Sequence, residues 1–287
     1  MTAETFIPPY AGPSRWMRRR SAVPGFGLTM GVTLTVLSCV VLIPLSAVVI
    51  RSAGLGADGF LQAALSERAL GAYQLSFGAA LIGAALNGVF GLLTAWALVR
   101  YEFPLKGVVN AVVDLPFALP TAVAGIALAA LYADNGLIGR YLEPLGIKAA
   151  YSTTGVVIAL TFVGLPFVVR TVEPILRDLS QDVEEASASL GATRWQTVTR
   201  VIWPALLPAW LTGFALAFAR AVGEYGSVIF ISSNLPFESE IAPLLIIIQL
   251  EQYDYAAAAA IATVMLAVSF SLLFFINGVQ AWARRYS

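Results

Sequence analysis

Residues Arg68 to Arg100 read RALGAYQLSFGAALIGAALNGVFGLLTAWALVR, with no charge between the two end residues. About 20 apolar residues are enough to cross the hydrocarbon core of a bilayer as a helix, so this run crosses with turns to spare. The same pattern repeats outward in both directions. Thirty uncharged residues separate Arg20 from Arg51; a third run follows Lys106, broken only by Asp114, and ends at Asp134; a fourth lies between Lys148 and Arg170. The fifth extends from Pro204 to about Ser232 and carries Arg220 and Glu224 inside it, and the sixth runs from Ala256 to Trp282. The chain is therefore read as all-α, a polytopic membrane protein with six transmembrane helices. Its 12% charged residues are about half the share of roughly 25% found in soluble domains.

The 17 basic and 17 acidic residues cancel only as an average. Twelve Lys and Arg fall in the N-terminal tail, the second and fourth loops and the C-terminus, against four on the other side. Positive charge favours the cytoplasm, which places both termini inside. The tail before the first span has the charge of a signal peptide, but the apolar run after it is too long for one, and it is read as an uncleaved anchor helix. The domain reading is a basic cytoplasmic tail over residues 1–22 and a transmembrane domain over 23–287, with the loop 171–203 as its main cytoplasmic feature.

Several chemistries are excluded. The chain has no histidine and one cysteine, Cys39, which rules out His-based triads, His or Cys metal sites and an internal disulfide. It contains neither a G-x-x-x-x-G-K-[ST] phosphate loop nor a G-x-S-x-G elbow. No catalytic residue and no metal ligand is assigned, and transport, conduction or scaffolding remain. Cys39 is read as a small buried apolar residue.

Charges at membrane depth need partners or a polar cavity, because one near the centre costs about 2.5–3.5 kcal/mol on insertion scales. Arg220 and Glu224 are four apart and suit either a structural ion pair or a balanced surface along an anion path. Asp114 lies near the start of the third span, close to Pro116 and Pro120, which remove helix hydrogen bonds and predict a kink or break. Asn87 is expected to make an interhelical hydrogen bond, and Gly83, Gly88, Gly91 and Gly125 to allow close helix approach. The element L-P-F-x-x-x-T occurs at Leu115–Thr121 and again at Leu165–Thr171, and is read as coincidence unless the fold pairs the copies. Ile241–Leu250 is too short to span and is read as a short external or re-entrant helix.

The fourth loop contains LSQDVEEASASLGATRWQTVTRVIWP, Leu179 to Pro204. Ser180 suits an N-cap, Asp182, Glu184 and Glu185 suit the first turns, and Gly191 suits a left-handed stop. Thr193 and Gln196 form a capping box for a second short helix limited by Pro204. Small residues Ala186, Ser187 and Ala188 give the first helix a surface suited to a groove, and a solvated loop helix is the alternative on periodicity alone. Glu185, Ala186, Ser187, three residues, Gly191, nine residues, then Val201 to Pro204 resemble the E-A-A, x3, G, x9, I-x-L-P signature of bacterial ABC importer permeases. Ser187, Val201 and Trp203 depart from its usual Ala, Ile and Leu.

Further segments are similar to the T-type permease of sulfate/thiosulfate importers: LNGVFGLL (Leu86–Leu93), DLPFALPTAVAG (Asp114–Gly125), LPFVVRTVEPIL (Leu165–Leu176) and ARAVGEYGSVIFIS (Ala219–Ser232). The resemblance implies a type I importer permease (MetI-like) fold in the bacterial inner membrane, with alternating access for sulfate or thiosulfate. It implies a W-type permease partner, two ATPase subunits that carry ATP and Mg, a periplasmic sulfate/thiosulfate-binding protein, contact with membrane lipid, and no nucleic acid. No cofactor belongs to this chain. The coupling residues would be Asp182, Glu184, Glu185, Ala186, Ser187, Leu190, Gly191, Ala192 and Pro204. The candidate path comprises Asp114, Pro116, Pro120, Arg220, Glu224, Tyr225 and Ser227. Alternatives within the class are a molybdate/tungstate permease or the W-type sulfate permease; outside it, an ATP-independent channel or secondary transporter.

Overall fold

A computed structural model describes residues 26–283. The basic tail 1–22 and the C-terminal Arg284 and Arg285 lie outside the described residues. The chain divides into two compact units, one ending at Ala47 and the other beginning at Val48. The first unit is helical from Phe26, with a π-helical turn at Ser38–Leu42, and none of its described residues is buried. Cys39 is exposed there rather than buried, since this helix has no packed face within its own unit.

The first described helix, α1 (Phe26–Ala53), is followed by α2 (Gly56–Ala64) and the long α3 (Glu67–Arg100). Then come α4 (Lys106–Ala118), α5 (Thr121–Tyr132), α6 (Thr153–Asp178), α7 (Gln181–Ser189), α8 (Arg194–Val222), α9 (Ala242–Glu251) and α10 (Tyr255–Ala283). Among the described residues five helices are long and apolar enough to cross a membrane, and α4 with α5 forms a sixth apolar segment, bent by 120° at its break. Pro120 caps α5 and Pro116 lies within α4, so the expected break is real. A proline supplies no N–H and crowds the carbonyl four residues back, and two within five residues leave Leu119 extended.

The centre of the second unit is α3 packed against α6 and α8. Its contact face is a stripe of small residues including Ala72, Ala80, Gly83, Ala84, Gly88, Gly91 and Ala95. Close approach of backbones is how helices gain van der Waals contact where lipid supplies no hydrophobic drive. A side-chain carbon on Gly91 would stand 2.8 Å from Val168 Cβ, and one on Gly88 would stand 2.9 Å from the Trp210 ring. Trp210 Nε1 donates to Gly88 O at 2.8 Å, tying α8 to α3. The expectation for Asn87 is corrected: it is fully buried, and neither its amide nitrogen nor its amide oxygen has a partner. Its amide lies against Gly164 on α6.

Three span boundaries also change. The fourth span does not stop at Arg170 but continues as α6 to Asp178. The fifth begins at Arg194 and ends at Val222, with Gly223 closing it, so Glu224 lies beyond the helix and Val228–Ile231 is a separate turn. Pro204 does not limit a second short helix. A π turn at Val198–Ile202 precedes it, with Trp203 N–H bonded to Val198 O, and the helix continues through Trp203–Val222. The wider turn accommodates the ring that would otherwise strike the preceding turn. Pro44 follows the π turn at Ser38–Leu42 with the same two-residue offset.

At the other end of the bundle, α9 buries Ala242, Leu244 and Leu245. Ala242 N–H donates to Ser76 Oγ at 2.8 Å. Ser76 is nine residues into α3, roughly 13 Å along its axis at 1.5 Å per residue. The start of α9 is thus packed against α3 about two and a half turns in from the first residue of α3. Arg68 closes this end with two bonds to Glu240, at 2.8 and 2.6 Å, and Glu240 is almost completely buried.

Candidate functional site

Two regions bring together the residues singled out in the sequence. The first is α7. Ser180 Oγ accepts from Asp182 N–H at 3.1 Å, satisfying one of the unpaired donors at the helix start, and Asp182 and Glu184 occupy its first turn. Gly191 adopts φ +83°, and the helix ends in a Schellman motif: Gly191 N–H bonds to Ala188 O at 2.9 Å and Ala192 N–H to Ser187 O at 3.1 Å. The capping box is complete, with Thr193 N–H to Gln196 Oε1 at 2.8 Å and Gln196 N–H to Thr193 Oγ1 at 3.3 Å.

These two caps fix α7 between α6 and α8 and divide its residues by face. Asp182, Val183, Glu185, Ala186 and Leu190 are exposed, Leu190 at 88%. Glu184 and Ser187 turn inward: Glu184 to Arg100 on α3 at 2.5 Å, and Ser187 to the Thr197 hydroxyl on α8 at 2.8 Å. Gly191 is exposed and Ala192 half-buried in the turn. Pro204 stands apart from this group, inside α8. The arrangement presents a short acidic, small-residue surface, with the exposed Trp195 beside it on α8.

The second region holds the charges carried on and beside the apolar helices, which fall into two clusters. Arg170 on α6 donates to both oxygens of Asp114 on α4, at 2.8 and 2.6 Å, and to Asn110 O at 3.2 Å. Glu173 accepts from Arg170 at 2.6 Å and from Arg177 at 2.5 Å. An ionic ladder therefore runs from α4 along α6. The L-P-F-x-x-x-T copies are not a coincidence of composition, because the fold pairs them antiparallel. Phe117 and Phe167 meet edge to face with centroids 5.2 Å apart, beside the Asp114–Arg170 pair.

The other cluster is built on the turn after α8. Glu224, 2% exposed, accepts from Arg220 and also from Ser227 N–H and Ser227 Oγ, both at 2.9 Å. About a third of the Arg220 side chain stays open. Tyr225 is half-buried against the core and Ser227 fully buried. This turn rests on α5: a side-chain carbon on Gly125 would stand 2.8 Å from Ser227 Cα, and one on Gly226 would strike Thr121. The break at Pro120 and the Glu224 turn are thus one packed unit. No group of three or more metal-ligating side chains occurs among the described residues.

Residues 87–285 match the family described as binding-protein-dependent transport system inner membrane component. The chain belongs to this family. The permease is 49% identical to the sulfate transport system permease protein CysT of Synechocystis sp., over 97% of this chain and 98% of that protein. It is 44% identical to the protein of the same name from Escherichia coli, over 91% and 95% respectively. A solved bacterial ABC transporter involved in the import of the acidic polysaccharide alginate shares its fold, with a TM-score of 0.73 over 90% of this chain and 96% of that one at 16% identity.

Arg100, Arg170 and Glu173 of the permease escaped the sequence reading. In the sequence Arg170 stands as a charge that ends an apolar run, although its spacing to Glu173 and Arg177 is that of neighbours on one helix face. The repeated L-P-F-x-x-x-T element, with Asp114 before one copy and Arg170 inside the other, was the signal that places them together.

Proposed function

We propose that this permease is the membrane-spanning subunit of an ATP-driven importer for sulfate and thiosulfate, working by alternating access. The observation that carries the reading is α7, a doubly capped helix whose acidic, small-residue face stands open between two spans in a chain of the binding-protein-dependent family. The substrate rests on full-length similarity to proteins named sulfate transport permeases. In this reading both termini and α7 are cytoplasmic, as the basic residues at that end favour, and the permease domain covers residues 23–287.

The exposed Asp182, Glu185, Ala186 and Leu190 face a cleft in an ATPase subunit, which supplies the hydrolysis that this chain does not perform. Two such subunits bind ATP and Mg, a W-type permease completes the pore, and a periplasmic binding protein delivers the anion. Closure of the ATPases pushes α7, and the joined α6 and α8 carry the movement inward. There α5 and the Glu224 turn shift as a unit, exposing Arg220 first to one side and then to the other. Glu224 keeps that guanidinium from holding a divalent anion too tightly to release it.

Uptake of labelled sulfate, thiosulfate and molybdate into vesicles holding the reconstituted complex tests the reading. ATP-dependent accumulation of sulfate and thiosulfate is expected. Accumulation of molybdate alone would make the chain a molybdate permease, and uptake that ignores ATP would remove it from the importer class.

A further inference from the structure

Movement of α7 reaches α6 and α8 through the chain itself, because residues 179–180 and 190–193 join them. The helix α3 has no such connection, yet it forms the packed centre of the unit and leads through residues 101–105 into the broken span. Arg100, its last residue, bridges the gap. Its Nη2 donates to Glu184 Oε1 at 2.5 Å and to Leu179 O, the residue that caps α6, at 3.4 Å. Its guanidinium stands 5.8 Å from the centre of the Trp96 ring, one turn back on α3. The side chain is only 13% exposed and Glu184 33% exposed, so the pair is shielded from salt in a way a surface pair is not. Arg100 Nε is buried without a partner, so the hydrogen bonds that Arg100 makes run through Nη2 to Glu184 and Leu179.

We infer that Arg100 is a positioning residue of the transport cycle: it clamps the ATPase-facing helix to α3, so that displacement of α7 turns into displacement of α3 and of the broken span behind it. The clamp rests on the importer reading given above. A charged, planar group suits this role because its bonds to Glu184 and Leu179 fix direction as well as distance. Thermodynamic coupling between two sites is commonly worth 5- to 150-fold, and a loss of about tenfold on removing the clamp falls in that range.

The test uses the complete complex in vesicles and reads sulfate imported per ATP hydrolysed. Arg100→Ala is expected to lower this ratio about tenfold while hydrolysis continues, and the reversed pair Arg100→Glu with Glu184→Arg is expected to recover most of it. A wild-type ratio in Arg100→Ala overturns the clamp, as does a lowered ratio that the reversed pair fails to raise. If Arg100→Ala does not assemble with its partners, Glu184→Gln removes the charge at constant volume, and a wild-type ratio there overturns the clamp equally. A wild-type complex that imports no sulfate fails the substrate reading instead, and the same ratio is then measured with whichever oxyanion it does import.

Discussion

Gly125→Ala is the sharpest test of the packed unit formed by α5 and the Glu224 turn. The new methyl carbon would stand 2.8 Å from Ser227 Cα and 2.9 Å from Ser227 C, and closer still to Ser227 O. Ordinary carbon contacts lie near 3.5–4.0 Å, so α5 and the turn must separate by roughly 1 Å. All three atoms are backbone, and no flexible side chain is available to swing aside. Overpacking of this kind costs about 1–3 kcal/mol, which corresponds to a fall in Tm of roughly 2 to 10 °C at this chain length. The turn displaced in this way holds Glu224 through two 2.9 Å bonds from Ser227, and uptake should fall with stability. Thermal unfolding of the purified protein in detergent is the assay, with Gly78→Ala as its control. No atom lies within 4 Å of the carbon added there, and alanine in an open helical site is neutral or stabilising by up to about 1 kcal/mol. If Gly125→Ala melts with wild type, or Gly78→Ala melts as far below it, the packing argument is wrong.

Arg68→Ala should destabilise far more than Glu240→Gln, because it leaves a buried carboxylate uncompensated, at about 3–5 kcal/mol. Denaturant midpoints of the two variants check the order. Gly191→Ala forces an L residue into φ +83° at a cost of roughly 1–2 kcal/mol. It should lower sulfate import per ATP while leaving membrane insertion intact, which uptake and membrane fractionation together measure. Arg220→Ala also strips a buried carboxylate of its counter-charge, but Glu224 keeps its two bonds from Ser227, so uptake should fall and Tm should drop by less than in Arg68→Ala. Loss of assembly in that variant would make the pair purely structural.

What the sequence made legible is what local chemistry decides. Ser180, Gly191, Thr193 and Gln196 each act through bonds to residues two to four positions away, and both ends of α7 follow from them. The spans follow from apolar length, and the break from two prolines five residues or fewer apart. The failures share a different cause. Arg170 looked like the end of a span because charges end apolar runs on average. It is carried into the helix by Asp114, 56 positions away, and Glu173. Pro204 looked like a stop because a proline ring opposes an α turn, and the π turn before it relieves that clash. Asn87 looked like a bonded polar residue because burial demands a partner, yet Gly164 opens the slot beside it without offering one. Each miss turned on a residue remote in the chain or on a backbone alternative outside the usual helical repeat.

The π turn in α8 means that this helix is not one screw but two, joined out of phase. A single additional residue in the turn rotates everything beyond it by about 100° relative to an unbroken α-helix. The segment Arg194–Thr197, with its hydroxyl bond to Ser187, therefore points where it does only because that residue is present. Substitution scanning along Val198–Ile202 leaves this phase untouched, whereas removal of one residue together with Pro204→Ala, which lifts the ring's clash, closes the turn to an α-helix and swings its outer end about a quarter turn away from α7. The informative perturbation at such a site is a change in residue number, and an alignment gap there carries more mechanical meaning than any change of side chain.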